Sequence, residues 1–63
     1  MTLSEKSLAM QKLNAFRVFL VHGIDKVKKM YSDHVDFVKS NQSKTFSEVE
    51  KELLFSNNTD MES

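Results

Sequence analysis

Few side chains in this sequence are of a type and spacing that could do chemistry. The two histidines, His22 and His34, are the first candidates. Neither has a cysteine, a second histidine or a carboxylate spaced to lie beside it as a metal ligand on one helix. Side chains at adjacent helix positions diverge, so Asp33 is not expected to reach His34. Both histidines are therefore predicted to be ordinary core or surface residues.

Carboxylates near the end of the sequence are the second candidates. Glu48, Glu50 and Glu52 alternate along a short charged segment, a pattern typical of a solvated helix face. The sequence contains no glycine-rich phosphate loop, nucleophile elbow or zinc motif, and it contains no cysteine. It therefore predicts a protein that is not an enzyme, with no catalytic residues, no metal and no cofactor.

A small basic cluster is the feature that suggests nucleic acid. Lys26, Lys28 and Lys29 lie near the start of a predicted second helix. Lysines alone favour phosphate contacts, whereas base readout favours Arg, Asn and Gln. The net charge of the chain is zero, which weakens attraction to a polyanion. Direct nucleic-acid contact through these lysines is kept as the alternative function.

The charges are unevenly divided along the chain. Residues 1–31 carry six basic and two acidic side chains, a net charge of +4, and residues 32–63 carry three and seven, a net charge of −4. The two halves are expected to attract each other within one molecule or between antiparallel copies. Alternatively, the basic half offers a face to an acidic partner.

The length of 63 residues limits the protein to one domain of marginal stability. Such domains usually depend on disulfides, a metal, oligomerisation or a partner, and the first two are not expected here. Glu5 and Arg17 interrupt any signal-like apolar stretch, and no apolar run approaches the roughly 20 residues of a membrane span. We expect a soluble cytoplasmic protein that forms a homo-oligomer or binds another protein, with no membrane contact.

The absence of proline and the single glycine, Gly23, predict an all-α fold. Thr2 with Glu5, and Thr45 with Glu48, form capping boxes that mark helix starts. Gly23 suits the left-handed residue that follows a helix, although one continuous helix through it is the alternative. We predict a small helical hairpin plus a short third helix, in a protein that is dimeric or partner-bound. The domain covers residues 1–55, with helices over 3–22, 25–40 and 46–55. Residues 56–63 are predicted to form a disordered polar tail.

The first predicted helix carries more apolar side chains than one neighbour can cover. Six of the seven residues from Ala15 to Val21 are apolar. The apolar residues of this helix form two stripes about 100° apart. The first stripe consists of Ala9, Leu13, Phe16 and Leu20, and the second of Leu8, Ala15, Phe19 and, at its margin, Val18. The second stripe is exposed unless the third helix covers it. The residues predicted to form the partner or self interface are Leu13, Phe16, Phe19 and Leu20, whereas Val27, Tyr31 and Val38 are predicted to be internal.

The stretch from Asn14 to Leu54 resembles the AraC negative regulator family, the small helical anti-activators of Gram-negative pathogens. The likeness lies in a helix ending near Gly23, an aromatic residue in the second helix, Tyr31, and a short acidic third helix. Its main segments are 15–18, His22-Gly23 and 30–35.

This resemblance implies a small non-enzymatic regulator. Such a protein binds a transcriptional activator of AraC type, represses its activity and so lowers virulence-gene expression. The resemblance also implies self-association and contact with nucleoid-associated proteins rather than with DNA itself. A nucleoid- or DNA-associated modulator, or a small chaperone or inhibitor of another protein, remains the alternative.

Overall fold

A computed structural model describes residues 2–55 of the chain. The described part contains α-helices and one short 3-10 helix, and no strand, so the predicted all-α fold class is confirmed. The predicted tail over 56–63 lies outside the described residues. The helices are α1 (Leu3–His22), α2 (Ile24–Met30), α3 (Val35–Asn41) and α4 (Phe46–Leu54), with the 3-10 helix Ser32–His34 between α2 and α3.

Both predicted capping boxes are present. The Thr2 hydroxyl accepts the backbone N–H of Glu5, while the Glu5 carboxylate accepts the backbone N–H of Thr2. Thr45 and Glu48 repeat this exchange at the start of α4. Each box satisfies N–H groups that have no partner inside the helix. These local bonds explain why the starts of α1 and α4 were predictable from sequence.

The predicted break between the first two helices at Gly23 is confirmed. Gly23 has φ of 93° and ψ of 173°, a conformation essentially restricted to glycine. Its backbone N–H donates to the Phe19 carbonyl at 2.9 Å, which closes the last turn of α1. The value of φ is positive as predicted, but ψ is far from that of the left-handed helix. The chain therefore leaves α1 and enters α2 without a continuous rod.

The prediction of one helix over residues 25–40 is wrong. At Tyr31 the backbone leaves the helical region, with φ of −135° and ψ of 51°, and the 3-10 helix separates α2 from α3. Ser32 and Asp33 are weak helix formers, since their side chains compete for backbone hydrogen bonds. The apolar spacing fits a straight helix equally well, so the sequence pattern could not reveal the bend. Because of it, the chain has four α-helices over residues 2–55 where three were predicted.

The core lies along α1, which contacts α2, α3 and α4. Phe16 is the largest fully buried side chain, and its ring centroid lies 5.8 Å from that of Phe19. The Lys12 ammonium lies 5.5 Å from the ring centroid of Phe37, which adds a cation–π contact between α1 and α3. The buried cluster consists of Leu13, Ala15, Phe16, Val27, Val38 and Val49. Val27 and Val38 are therefore internal, as predicted.

The cap of α4 should make its stability depend on pH. Hydrogen bonds from the backbone N–H and the hydroxyl of Thr45 lower the pKa of Glu48 below its ordinary value of 4.5. A carboxyl group with a lowered pKa stabilises the fold above its unfolded pKa, and this contribution disappears as the pH falls through the folded pKa. We expect Thr45→Ala to raise the pKa of Glu48 and to lower the free energy of unfolding at neutral pH, with a difference from wild type that narrows below pH 4.5.

Carboxyl-carbon NMR titration of both proteins measures the pKa, and urea unfolding at several pH values measures the stability. A Glu48 pKa that is the same in both proteins would contradict the contribution assigned to the Thr45 hydroxyl, since the variant keeps the backbone N–H bond. Ser47→Ala is the matched control, because Ser47 lies on the same first turn and makes no side-chain hydrogen bond within residues 2–55.

Candidate protein-binding surface

The structure separates the four predicted interface residues into two groups. Leu13 and Phe16 are only 4% and 0% exposed, so they belong to the core and cannot meet a partner in this fold. Their predicted placement on an exposed face is wrong. Phe19 is half-buried and packs against the core, whereas Leu20 is 49% exposed. Leu20 is thus the member of the set that is most available for contact.

Neighbouring helices cover more of α1 than its two apolar stripes suggested. Ala15 belongs to the second stripe and is fully buried, as is Phe16 on the first. Three helices, α2, α3 and α4, contact α1, and half-buried Phe46, Leu53 and Leu54 of α4 pack against the core cluster. The short last helix does not have to cover α1 alone, because α2 and α3 also contact α1.

The C-terminal half of α1 nevertheless keeps a mixed apolar and basic side facing outward. Arg17, Leu20 and Val21 stand at positions i, i+3 and i+4, which share one side of a helix. Arg17 is exposed, Leu20 is 49% exposed and Val21 is 69% exposed. We call these three residues the outer face of α1. Adjacent exposed aliphatic side chains of this kind are candidates for contact with another protein.

A shallow open groove of about 370 Å³ adjoins the outer face of α1. Its apolar lining comes from Val18 and Val21. Its polar lining comes from Asn14, Arg17, His22 and the phenol of Tyr31. The helix positions each α1 side chain, while the bend that ends α2 positions Tyr31. Two separate features of the fold therefore build this groove.

The polar groups of the groove have no partners among the described residues. The side chains of Asn14, Arg17, His22 and Tyr31 make no hydrogen bond or ion pair within residues 2–55. No carboxylate lines the groove, so nothing in its lining neutralises the Arg17 guanidinium. A guanidinium, an amide and a phenol can all donate hydrogen bonds. The groove can therefore hold a hydrogen-bond acceptor, with aliphatic surface beside it.

The comparisons with known proteins give no relative. No protein-family model matches the sequence. No curated protein and no solved structure matches it either. The resemblance to the AraC negative regulators consequently stays a prediction that depends on the residues quoted for it.

The predicted nucleic-acid residues lie on α2 but do not all share one side of it. Lys26, Lys28 and Lys29 are all exposed. Lys26 and Lys29 stand at positions i and i+3 and share one side of the helix, whereas Lys28 points about 160° away from Lys26. The three lysines cannot all face one phosphate backbone, so the helix geometry weakens this alternative.

The two histidines differ in their surroundings. His22 is exposed and lines the groove, while His34 is buried, so they are a surface and a core residue as predicted. Nε2 of His34 lies 3.4 Å from Oε1 of Gln11 on α1 and 3.7 Å from Oδ2 of Asp33. The expectation that Asp33 could not approach His34 is wrong, because His34 has φ of −116° and ψ of 9°, so the two residues do not follow the side-chain directions of a regular α-helix.

Residues 2–55 contain neither a cluster of metal ligands nor a helix suited to crossing a membrane. Within residues 2–55, no group of three or more histidine, aspartate or glutamate side chains is arranged to hold a metal ion. In the same range, no helix has both the length and the apolar character needed to cross a membrane.

The sequence did not predict that Arg17, Val21 and Tyr31 belong to one surface. Arg17 was interpreted as an interruption of an apolar run and as one of the basic residues of the first half, and Tyr31 was predicted to be internal. Tyr31 is half-buried: it packs against the core cluster and also lines the groove. The spacing of Arg17, Leu20 and Val21 was a usable signal, since it marks one side of a helix. No local signal could place Tyr31 beside that side, because the bend of the second segment brings it there.

Proposed function

We propose that this protein is a non-enzymatic regulator that binds a transcriptional activator of AraC type and represses its activity. The binding surface is the outer face of α1 with its adjoining groove. The sequence resemblance supports the class of the partner, and the exposure of Leu20 and Val21 supports the location of the surface. The same surface is the one proposed for self-association.

One observation carries the location of the surface. Leu20 and Val21 remain 49% and 69% exposed on a helix whose inner side is already covered by three other helices. Burying aliphatic side chains against a partner removes apolar area from water and favours association. The side chains also lie on a regular helix, which presents them at fixed positions to a hydrophobic groove of a partner. Repression then follows if α1 occupies a surface that the activator needs for its own dimerisation or domain contacts.

Binding to the activator tests this function directly. We expect the purified protein to bind a purified AraC-type activator from its own source organism in biolayer interferometry. The double variant Leu20→Ser/Val21→Ser should weaken that binding by at least about tenfold, because it removes two central apolar contacts. It should also restore transcription from a reporter promoter that the activator controls.

The control variant is Leu3→Ser/Leu8→Ser, which removes two exposed leucines from the other end of the same helix. It should bind within about twofold of wild type, as expected for surface substitutions away from the contact. Equal losses in both variants would place the contact elsewhere on α1. Failure of the source organism's AraC-type activators to bind the wild-type protein would reject the proposed partner.

A salt titration separates protein binding from the nucleic-acid alternative. If the protein acted through Lys26, Lys28 and Lys29, its affinity for duplex DNA would fall steeply as salt increases. We expect no DNA affinity at micromolar protein and physiological salt. Tight DNA binding that is lost in a Lys→Gln variant at these three positions would favour the alternative.

A further inference from the structure

We propose that the groove beside the outer face of α1 recognises a carboxylate on an acidic, leucine-rich segment of the partner protein. The Arg17 guanidinium binds the carboxylate, and Val18 and Val21 contact the aliphatic side chains that flank it. This inference rests on the proposed function, because it names the chemistry that the same surface selects.

The Arg17 guanidinium gives the lining of the groove a positive charge. Arg17 has no acidic partner within residues 2–55, and no carboxylate lines the groove. The surrounding part of the chain is basic as well, since residues 1–31 carry six basic against two acidic side chains. A planar guanidinium matches the geometry of a carboxylate and binds it through two parallel hydrogen bonds. Charge complementarity therefore favours an anionic occupant.

Two uncharged polar side chains accompany Arg17 in the lining of the groove. The Asn14 amide and the Tyr31 phenol line the same groove and have no hydrogen-bond partner within residues 2–55. Both can donate to the oxygens of a carboxylate that Arg17 holds. A glutamine in place of a glutamate in the bound segment would keep nearly the same size and shape but would lose the ionic contact with Arg17.

The groove suits a protein segment better than nucleic acid. It contains one guanidinium, and its volume of about 370 Å³ suits a few side chains. Val21 is 69% exposed beside Arg17, and an aliphatic side chain at that position has little to gain from a phosphate backbone. Duplex binding requires several basic contacts along one face. An acidic side chain flanked by leucines matches both parts of the lining.

Paired peptides test the inference in the full chain. The probes are Ac-Ala-Leu-Glu-Leu-Ala-NH2 and the same peptide with Gln in place of Glu, added to the ¹⁵N-labelled protein. We expect saturable chemical-shift changes at Arg17, Val21 and Tyr31 with the Glu peptide, and binding of the Gln peptide that is weaker by about two- to fivefold, the upper part of the range for one exposed ion pair. Equal affinity for the two peptides, or shift changes elsewhere only, would overturn the proposal.

Two variants with the same loss of charge locate the contact. Arg17→Gln should abolish the preference for Glu over Gln, whereas Lys6→Gln should keep it, because Lys6 is an exposed residue of α1 that does not line the groove. Equal behaviour of the two variants would mean that only the overall basic charge attracts the peptide, which overturns the proposal.

Two other occupants are distinguished by the same spectra. Shift changes in the groove with a short mixed-sequence DNA duplex, and none with the Glu peptide, would make the site a phosphate contact and overturn the proposal. If the double substitution Asp60→Asn/Glu62→Gln changed the chemical shifts of Arg17 in the absence of any peptide, the chain's own acidic residues would be the occupants of the groove. That result would also overturn the proposal.

The peptide experiment and the activator-binding experiment can fail independently of each other. Glu-peptide selectivity without binding to an AraC-type activator would support the groove chemistry and reject the partner. Binding to the activator that is unaffected by Arg17→Gln would support the partner and reject the groove chemistry.

Discussion

Phe16→Ala should unfold most of the protein at room temperature. Phe16 is 0% exposed and lies in the cluster formed by α1 and the helices packed on it. Truncating a buried phenylalanine costs about 3–5 kcal/mol, which combines lost burial with the cavity left behind. A core of this size rarely supplies more than about 3–5 kcal/mol of net stability in total. We expect the variant to lose most of its helical circular dichroism and its cooperative urea transition.

Leu3→Ala provides the matched control for this prediction. Leu3 lies on the same helix but is 85% exposed, so its truncation should change the free energy of unfolding by less than about 0.5 kcal/mol. A Phe16→Ala protein that unfolds like wild type would mean that Phe16 faces outward. That outcome would reinstate the interface that the sequence predicted for this residue.

Gly23→Ala should destabilise the protein by about 1–3 kcal/mol. Gly23 has φ of 93° and ψ of 173°, a region that residues with a Cβ occupy only under strain of this order. No heavy atom lies within 4 Å of a Cβ built at this position, so the cost comes from the backbone and not from a steric clash. Urea unfolding of the two proteins measures the difference.

The sign of this change also tests the connection between the first two helices. If α1 and α2 formed one continuous helix, alanine would stabilise it by about 1 kcal/mol relative to glycine. A stabilised Gly23→Ala variant would therefore contradict the break at this residue. Lys26→Ala, on an exposed position of α2, is the control for alanine's general helix preference.

Local interactions made several elements predictable. Each capping box joins residues three positions apart, so the pattern at Thr2 and at Thr45 marks a helix start without knowledge of the rest of the fold. The starts of α1 and α4 follow from these signals alone. Gly23 favoured the end of α1 but also allowed one continuous helix, and its positive φ in the structure decides for the break.

The bend at Tyr31 was not predictable, because it depends on contacts between distant parts of the chain. Residues Val27 and Val38 share a helical spacing that fits a straight helix, yet each is fully buried in a separate helix packed near α1. A bend at Tyr31 loses a few hydrogen bonds of a straight helix, and burial of Val27 and Val38 offsets that loss. Apolar periodicity shows which residues share one side of a helix, but it does not show whether burial outweighs the lost hydrogen bonds.

The candidate surface was also predictable only in part. By itself the sequence determined an all-α protein with more apolar residues on its first helix than one partner helix needs. Which of those residues stay outside was decided by tertiary structure, because the folding of α2, α3 and α4 onto α1 buried Leu13 and Phe16 and left Leu20 and Val21 exposed. Exposure is a property of what packs against a side chain, and that is set by the path of the whole chain.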